Sequence, residues 1–233
     1  MILRSIIFYF FLAIWTIIMG IICLPYLFVH YSNLRKPTNI WILGIFKLLK
    51  YCCNISYKVE GKENIPNYPI IVASKHQSAF ETFALYLTIK NSIFIHKKEL
   101  YFIPIFGQYL KKSNMISIER SNRFSSMKKI IKQAKLKMSK GYSIIIFPEG
   151  TRKKIGELPS YKSGFIGIYN ETEREILPVA LNSGYCWPKH TFIKKSGKII
   201  IKILKPIPAK LNRKKLLNEL ENVIEEETNK LLN

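Results

Sequence analysis

The chain has 233 residues, which is enough for one domain with a sizeable hydrophobic core and some additional segments. Its 37 basic residues outnumber 15 acidic ones, all of them Glu, so aspartyl nucleophiles, the Asp-rich calcium loop and a Ser-His-Asp triad are excluded. The net charge of +22 favours an anionic partner such as nucleic acid, a membrane surface or a phosphorylated substrate, although abundant Lys, Ile and Asn also fit an AT-rich genome. The four cysteines form no Cys-x-x-Cys pair, which favours a reducing compartment.

The N-terminal region contains an uncharged apolar segment that is long enough to cross a membrane. No charged residue occurs at positions 5–34, and the apolar part covers residues 6–29. As a straight helix this part would be ~36 Å long, against a hydrocarbon core of ~30 Å. Pro25 is expected to kink or end the helix, so residues 6–24 are its better part. The segment predicts a membrane anchor; a cleaved signal peptide is the competing interpretation, but no small-x-small cleavage site is present.

A second apolar patch at residues 40–49 is too short to span a bilayer and carries two lysines, which predicts a helix in the membrane interface. We therefore assign residues 1–52 to an N-terminal membrane anchor and residues 53–233 to a folded α/β domain. Whether the first segment spans the bilayer or re-enters the same leaflet stays open. Only Arg4 precedes that segment, whereas several basic residues follow it, so the positive-inside rule predicts that the domain faces the cytoplasm. These basic residues are Arg35, Lys36, Lys47, Lys50 and Lys58.

From residue 55 onward, short apolar runs alternate with helical stretches. This pattern predicts an α/β fold with a mostly parallel central sheet flanked by helices. The last predicted helix has its apolar residues on one face, which predicts packing on the sheet, with membrane binding as the alternative. The predicted strands cover residues 55–59, 70–74, 92–96, 115–118, 143–147, 176–181 and 198–204, and the predicted helices cover residues 79–90, 124–139 and 212–231.

Two polar strings directly follow two of the predicted strands, which is where open α/β sheets bind their ligands. The first string has the sequence HQSAFE and begins at His76, between a strand end and a helix start, where a general base would be placed. Glu81 is five residues further on, and one helical turn with a bend would bring its carboxylate to the imidazole. The competing interpretation is a capping box, with Ser78 at the N-cap and Glu81 at N3, in which His76 is structural.

The second string has the sequence FPEGTR. Gly150 lets backbone amides approach a ligand closely, and the planar guanidinium of Arg152 suits a phosphate. Glu149 is predicted to orient Arg152 or a substrate hydroxyl, although an ordinary Pro-Gly turn would use the same residues. Arg120, at the end of a further strand, and Lys162 join the crevice if their segments lie beside it. Otherwise both are solvated surface charges.

Other chemistries find no support in the sequence. It has no Gly-x-Ser-x-Gly nucleophile elbow, no Gly-x-x-x-x-Gly-Lys phosphate loop and no His-Glu-x-x-His zinc helix. We therefore predict neither a metal site nor a resident cofactor.

Together the strings resemble the glycerolipid acyltransferase superfamily, and most closely its 1-acyl-sn-glycerol-3-phosphate (lysophosphatidate) acyltransferases. The resemblance runs over residues 57–204 and consists of four blocks in the family's order. The first is the family's His-x4-Asp block at His76, with Glu81 in the acidic place, a replacement similar to a known bacterial variant. The other blocks lie at residues 98–120, 147–164 and 177–180.

The resemblance implies an acyltransferase bound to the inner membrane of a bacterial cell, with acyl-CoA or acyl carrier protein as co-substrate. His76, oriented by Glu81, would take the proton of the sn-2 hydroxyl of lysophosphatidate, which then attacks the thioester and gives phosphatidate without an acyl-enzyme intermediate. The implied partners are the lipid acceptor and an anionic bilayer surface, and no nucleic acid. The residues implied to bind substrate are Arg120, Glu149, Gly150, Thr151, Arg152 and Lys162.

Two alternatives remain open at this point. Within the same chemistry, the acceptor is glycerol-3-phosphate or a lyso-aminolipid such as lyso-ornithine lipid, which the replacement at Glu81 makes worth testing. From another class, a non-catalytic protein that binds anionic lipid or nucleic acid would use the basic surface alone. That class predicts clustered basic tracts with interleaved aromatic residues, whereas Lys and Arg are spread along this whole chain.

Overall fold

The computed structural model describes residues 1–119 and 123–232, with the backbone alone at residues 123–126. The helices are α1 (Ile2–Ile22), α2 (Arg35–Cys53), α3 (Phe80–Thr88), α4 (Phe106–Lys112), α5 (Arg123–Ser139), α6 (Ile166–Thr172), α7 (Ser183–Cys186) and α8 (Arg213–Lys230). The strands are β1 (Ile55–Glu60), β2 (Ile71–Ser74), β3 (Ser92–Lys97), β4 (Ile116–Ile118), β5 (Ser143–Ile146), β6 (Ile176–Leu181) and β7 (Gly197–Ile203).

The strands of the described chain form one seven-stranded sheet in the order β1-β7-β6-β2-β5-β3-β4. Every neighbouring pair is parallel except β6 and β7, which are antiparallel. Strands β2, β5 and β6 are buried along their whole length, which is why their sequences are continuous apolar runs. The predicted fold, a mostly parallel sheet flanked by helices, is confirmed, and each predicted strand end differs from the observed one by at most one residue.

Helices cover both faces of the sheet because successive residues of a strand point to opposite faces. Val72 of β2 and Ile145 of β5 belong to a core cluster with residues of α1, α2 and α3. Their neighbours Ile71 and Ile144 belong to a second cluster with residues of α5, α6 and α8. The apolar face of α8 therefore packs on the sheet, as the amphipathic pattern predicted.

Helix α1 lies along the folded body instead of standing apart from it. Near its start, the Ser5 hydroxyl accepts a hydrogen bond from the Lys194 amide at 2.8 Å. Near its end, the Tyr109 hydroxyl donates to the Gly20 carbonyl at 2.5 Å. Pro25 does not kink α1, which ends at Ile22, but lies in the 3₁₀ turn Leu24–Leu27 that follows.

The opposite face of α1 is apolar and exposed. Among the described helices, α1 is the one that is long and apolar enough to cross a membrane, by length and composition. The exposed residues repeat every three or four positions, as one face of a helix requires. They include Ile6, Phe10, Ile14, Ile17 and Ile21.

Helix α2 is longer than the apolar patch predicted at residues 40–49. It begins at Arg35 because Pro37 is tolerated in the first turn of a helix, where a proline costs no hydrogen bond. Ile42, Ile45 and Phe46 on its buried face belong to the first core cluster, together with strand residues. The predicted boundary after residue 52 stays a prediction. Sequence reasoning also missed α4, α6 and α7, which have seven, seven and four residues and are too short for a periodic pattern.

Candidate active site

The two polar strings meet because the strands that carry them are paired in parallel. Ala73 of β2 lies opposite Ile146, the last residue of β5, so the residues that follow both strands emerge at the same edge of the sheet. There the His76 carbonyl accepts a hydrogen bond from the Lys153 amide at 2.8 Å. The His76 ring stacks on the Phe147 ring, with centroids 3.9 Å apart. The strand ends thus bring together two strings that begin 71 positions apart in the sequence.

The side chains of His76 and Glu81 form the central contact of this edge. Helix α3 begins one residue before Glu81, so the carboxylate lies in its first turn and reaches back to the strand end. The distance from His76 Nδ1 to Glu81 Oε1 is 2.8 Å. The Glu81 side chain has no exposed surface, whereas the His76 side chain is 16% exposed and lines a cavity. The imidazole is thus partly open to the cavity, where a ligand can reach it, whereas its carboxylate partner is sealed from water.

Glu81 accepts further hydrogen bonds from its surroundings. Its Oε1 atom accepts from the backbone amides of Gln77 and Ser78, both at 2.7 Å. Its Oε2 atom accepts from the hydroxyls of Ser78 and Ser183, also at 2.7 Å. With His76, these groups give the buried carboxylate five donors in the described part of the chain.

The contacts of Glu81 combine two interpretations that the sequence left as alternatives. The N-cap of α3 is Ala79, one residue later than the predicted Ser78. The Ser78 hydroxyl still accepts from the Phe80 amide at 2.9 Å, and the Glu81 carboxylate accepts from the Ser78 amide as in a capping box. The same carboxylate therefore caps the helix and contacts His76.

The protonation state of Glu81 fixes the tautomer of His76. Burial raises the pKa of the Glu81 carboxyl, but the hydrogen bond and charge of His76 and the hydrogen bonds from Ser78 lower it more, so the pKa lies below its ordinary value. An ionised carboxylate only accepts hydrogen bonds, so the proton in this contact belongs to His76 Nδ1. In the neutral imidazole the other ring nitrogen, Nε2, is then the one able to take a proton.

Glu149 makes contacts that its sequence position did not indicate. Its Oε2 atom accepts from the backbone amide of His76 at 2.9 Å, and its Oε1 atom accepts from Lys75 Nζ at 2.8 Å. Burial raises the pKa of the Glu149 carboxyl more than the ion pair with Lys75 lowers it. The carboxylate thus supports the strand end that carries His76. Its contact with Arg152 or a substrate hydroxyl stays a prediction.

Lys75 joins this edge of the sheet to the C-terminal helix. Its ammonium group donates to both carboxylate oxygens of Glu225 in α8, at 2.7 and 2.8 Å. The Tyr161 hydroxyl donates to Glu225 at 3.0 Å, and burial together with the charge of Glu225 raises the pKa of Tyr161. Sequence reasoning missed Lys75, Glu225 and Ser183. A lysine at the end of a fully buried strand was a usable signal, but Glu225 and Ser183 lie 150 and 102 positions from their partners Lys75 and Glu81 and carry no local signal.

The remaining predicted residues lie at the cavity or outside the described residues. Gly150, Thr151, Arg152 and Lys162 line the same cavity as His76. Gly150 has φ +66°, a region that favours glycine, and a Cβ there would lie 3.0 Å from Lys162 Cδ. The backbone of the second string therefore approaches Lys162 closely. Arg120 lies outside the described residues.

The cavity beside His76 is large and mostly apolar. Its volume is about 1570 Å³, and it extends from the second string to the N-terminal helices. Within the described residues, no group of three or more His, Cys and Glu side chains is placed to hold a metal ion. Apolar residues that line the cavity include Met19, Trp41, Phe83, Ile95, Phe106 and Leu110.

Comparisons with known proteins show which family the sequence matches. The family model described as Acyltransferase matches residues 56–182. A 1-acyl-sn-glycerol-3-phosphate acyltransferase of Pseudomonas aeruginosa is 34% identical over 172 residues, which cover 74% of this chain and 67% of that protein. One from Cocos nucifera is 32% identical over 196 residues, covering 83% of this chain and 62% of the relative. The matches thus span about two thirds of the length of these two relatives.

A solved structure is similar over nearly the whole chain. It is the crystal structure of the 1-acyl-sn-glycerophosphate acyltransferase PlsC from Thermotoga maritima, with a TM-score of 0.81 and 26% sequence identity. The superposition covers 98% of this chain and 95% of that chain. The N-terminal helices and the sheet are therefore included in the similarity.

Proposed function

Because this chain belongs to the acyltransferase family, we propose that it transfers a fatty acyl group from a thioester to the sn-2 hydroxyl of lysophosphatidate and so forms phosphatidate. The names of its relatives from Pseudomonas aeruginosa and Cocos nucifera support this acceptor. The single observation that carries the proposal is the contact between His76 and the buried Glu81 at the wall of a large apolar cavity.

The proposed reaction uses the imidazole first as a base and then as an acid. Nε2 of His76 takes the proton of the acceptor hydroxyl as its oxygen attacks the thioester carbonyl carbon. The buried carboxylate of Glu81 stabilises the imidazolium that forms, because the positive charge then faces an ionised group at 2.8 Å. The carbon–sulfur bond breaks, and the leaving thiolate takes the proton from Nε2. The acyl group passes directly to the acceptor, and His76 returns to its neutral form.

The cavity supports a lipid substrate. Its apolar walls suit a fatty acyl chain, since burial of apolar surface contributes ~0.8 kcal/mol per CH₂. At the end near His76, Arg152 and Lys162 provide cations for a phosphate, and Gly150 allows a close backbone approach. We propose that Arg120 and Thr151 complete this phosphate site, as the family resemblance implies. The acyl donor is acyl-CoA or acyl carrier protein, and no resident cofactor takes part.

We also propose that α1 holds the enzyme in one leaflet of the membrane. Its two ends are hydrogen-bonded to the body through Lys194 and Tyr109, and its apolar face points away from the body. The basic residues that follow α1 support the cytoplasmic face of a bacterial inner membrane. Single cysteines at Leu3 and Phe28, which are both exposed, test this arrangement. A membrane-impermeant thiol reagent should label both positions from the same side, and labelling from opposite sides would contradict it.

The experiment that tests the proposed activity is acyl transfer by purified protein with and without the base. His76→Ala should lower kcat at least 100-fold, because general-base catalysis contributes ~10²–10⁴ in rate. His30→Ala is the matched control, since the His30 side chain is exposed and its hydrogen bonds are to the neighbouring Ser32, away from the site. A His76→Ala rate above a tenth of wild type, in folded protein, would contradict the mechanism.

The substrates are compared in the same assay. The donors are acyl-CoA and acyl carrier protein, and the acceptors are lysophosphatidate, glycerol-3-phosphate and lyso-ornithine lipid. Phosphatidate made from lysophosphatidate by wild type alone supports the proposal. Product from glycerol-3-phosphate or lyso-ornithine lipid alone would keep the chemistry and change the acceptor. No transfer by folded protein to any acceptor would contradict the proposed function.

A further inference from the structure

Glu225 reaches the candidate active site from the opposite end of the sequence. It lies on α8, whose residues Leu220 and Ile224 are fully buried against the sheet. Its carboxylate binds Lys75, the residue directly before His76, through both oxygens at 2.7 and 2.8 Å. The Tyr161 hydroxyl holds one of the same oxygens at 3.0 Å. The packed helix therefore presents Glu225 in a fixed position.

The contact continues from Lys75 to the backbone of His76. The Lys75 side chain is 4% exposed, and its ammonium also donates to Glu149 at 2.8 Å. The second carboxylate oxygen of Glu149 accepts from the His76 amide at 2.9 Å. A continuous chain of hydrogen bonds thus links Glu225 to the His76 backbone through two buried side chains.

These linked hydrogen bonds affect the position of His76 because a buried charge must be paired to remain in place. A buried ammonium without sufficient partners costs several kcal/mol, so Lys75 moves or rearranges when one carboxylate loses its charge. Glu149 would then follow Lys75, because its Oε1 atom has no other partner among the described residues. A shift of Glu149 would displace the His76 amide and with it the imidazole.

We propose that Glu225 is a positioning residue of the acyl transfer reaction, which through Lys75 and Glu149 sets the position of the His76 backbone amide. This role rests on the proposed function for its effect on rate. Glu225 touches no reacting atom in this arrangement. Its action is on the placement of the base, and a displacement of ~1 Å in a catalytic group costs up to ~100-fold in rate.

The test compares Glu225→Gln and Glu225→Asp with the control Glu226→Gln. Glu226 is the next residue on the same helix, is 67% exposed and loses the same charge, whereas the Glu225 side chain is 19% exposed. We expect Glu225→Gln to lower kcat about tenfold while KM for lysophosphatidate changes less than twofold. Glu225→Asp keeps the charge and should recover at least half of the wild-type kcat. Glu226→Gln should leave both constants unchanged.

A second readout follows the His76 amide directly. The chain has four histidines, so protein labelled with ¹⁵N-histidine in detergent micelles gives four backbone amide signals, and His76→Gln assigns the one of interest. Glu225→Gln should move the His76 signal and leave the other three in place, and Glu226→Gln should move none.

The two readouts together decide the proposal. A moved His76 signal with a lowered kcat supports the positioning role. An unmoved signal, an unchanged kcat, or a kcat that Glu225→Asp fails to recover overturns it. If wild type transfers no acyl group to lysophosphatidate, the proposed function fails instead, and the amide signal alone then tests the link between Glu225 and His76.

Discussion

Glu81 and Glu149 are both fully buried and both bind His76, yet their environments differ. Glu81 contacts the imidazole at 2.8 Å, and Glu149 contacts the backbone amide at 2.9 Å. Glu81 is surrounded by donors and has a pKa below its ordinary value. Glu149 shares one ammonium with Glu225 and has a pKa above its ordinary value, chiefly because of burial.

The difference shows that burial alone does not decide the role of a carboxylate. Four of the five donors to Glu81 lie within five residues of it, so a single short loop stabilises its charge. Glu149 depends on Lys75, which in turn depends on a helix from the far end of the chain. The orientation of the imidazole is thus secured locally, whereas the position of its backbone is secured by tertiary packing.

The largest expected effect is on the imidazole contact. Glu81→Gln keeps the shape of the side chain but loses its charge, so the imidazolium is no longer stabilised. We expect kcat to fall about 100-fold, within the range that a positioned acid–base group contributes. Gln still accepts in the cap, so the fold is retained, but stability at neutral pH falls because the lowered pKa of Glu81 means that its charge stabilises the folded state. Glu63→Gln, on an exposed glutamate, is the matched control for rate and melting temperature. Activity that survives in folded Glu81→Gln would make Glu81 a helix cap only.

Glu149→Gln should have a smaller effect on the rate. It leaves an acceptor for the His76 amide and removes a charge that burial disfavours, while Lys75 keeps its ion pair with Glu225. We expect kcat to fall about tenfold because the His76 amide is held less firmly, and we expect the free energy of unfolding at neutral pH not to fall. Urea unfolding and steady-state kinetics measure the two quantities. A loss of kcat equal to that of Glu81→Gln with full stability would show that Glu149 acts on the substrate.

Ser183 provides a weaker perturbation of the local site. Its hydroxyl donates to Glu81 at 2.7 Å and is the one donor that comes from outside the loop. Ser183→Ala should lower the free energy of unfolding by ~1.5 kcal/mol, the usual size for a hydrogen bond to a charged group. Kinetics should show a smaller loss of kcat than for Glu149→Gln. Ser56→Ala, at an exposed position of the edge strand β1, is the control, and equal stability of the two variants would contradict the inferred contribution.

The smallest expected effect is the pH dependence of stability, in which the two carboxylates have opposite signs. The pKa of Glu81 is lowered in the folded state, so its contribution is present above ~4.3, the unfolded value, and is lost as pH falls toward the folded pKa. The pKa of Glu149 is raised, so its contribution is present below ~4.3 and is lost as pH rises through the folded pKa. Melting curves should therefore show a weaker acid destabilisation in Glu81→Gln than in wild type. In Glu149→Gln, the loss of stability between pH ~4.3 and neutral pH should be reduced. The same pH profile in all three proteins would contradict both assignments.

Local patterns in the sequence determined the strands and the place of the site. Continuous apolar runs predicted β2, β5 and β6 within one residue, because buried parallel strands need apolar side chains on both faces. The polar string that follows β2 predicted the approach of Glu81 to His76, because five residues and one helical turn fix that distance locally. The family resemblance added the activity that the comparisons support.

Tertiary structure alone decided which other groups support His76. The ion pairs of Lys75 with Glu149 and Glu225 join residues 74 and 150 positions apart. The first depends on the pairing of β2 with β5, and the second forms only when α8 packs on the sheet. The same holds for Ser183, which α7 brings to Glu81 across 102 positions. No local pattern encodes such contacts, because a glutamate on an amphipathic helix has the same sequence signature whether it faces water or a buried ammonium.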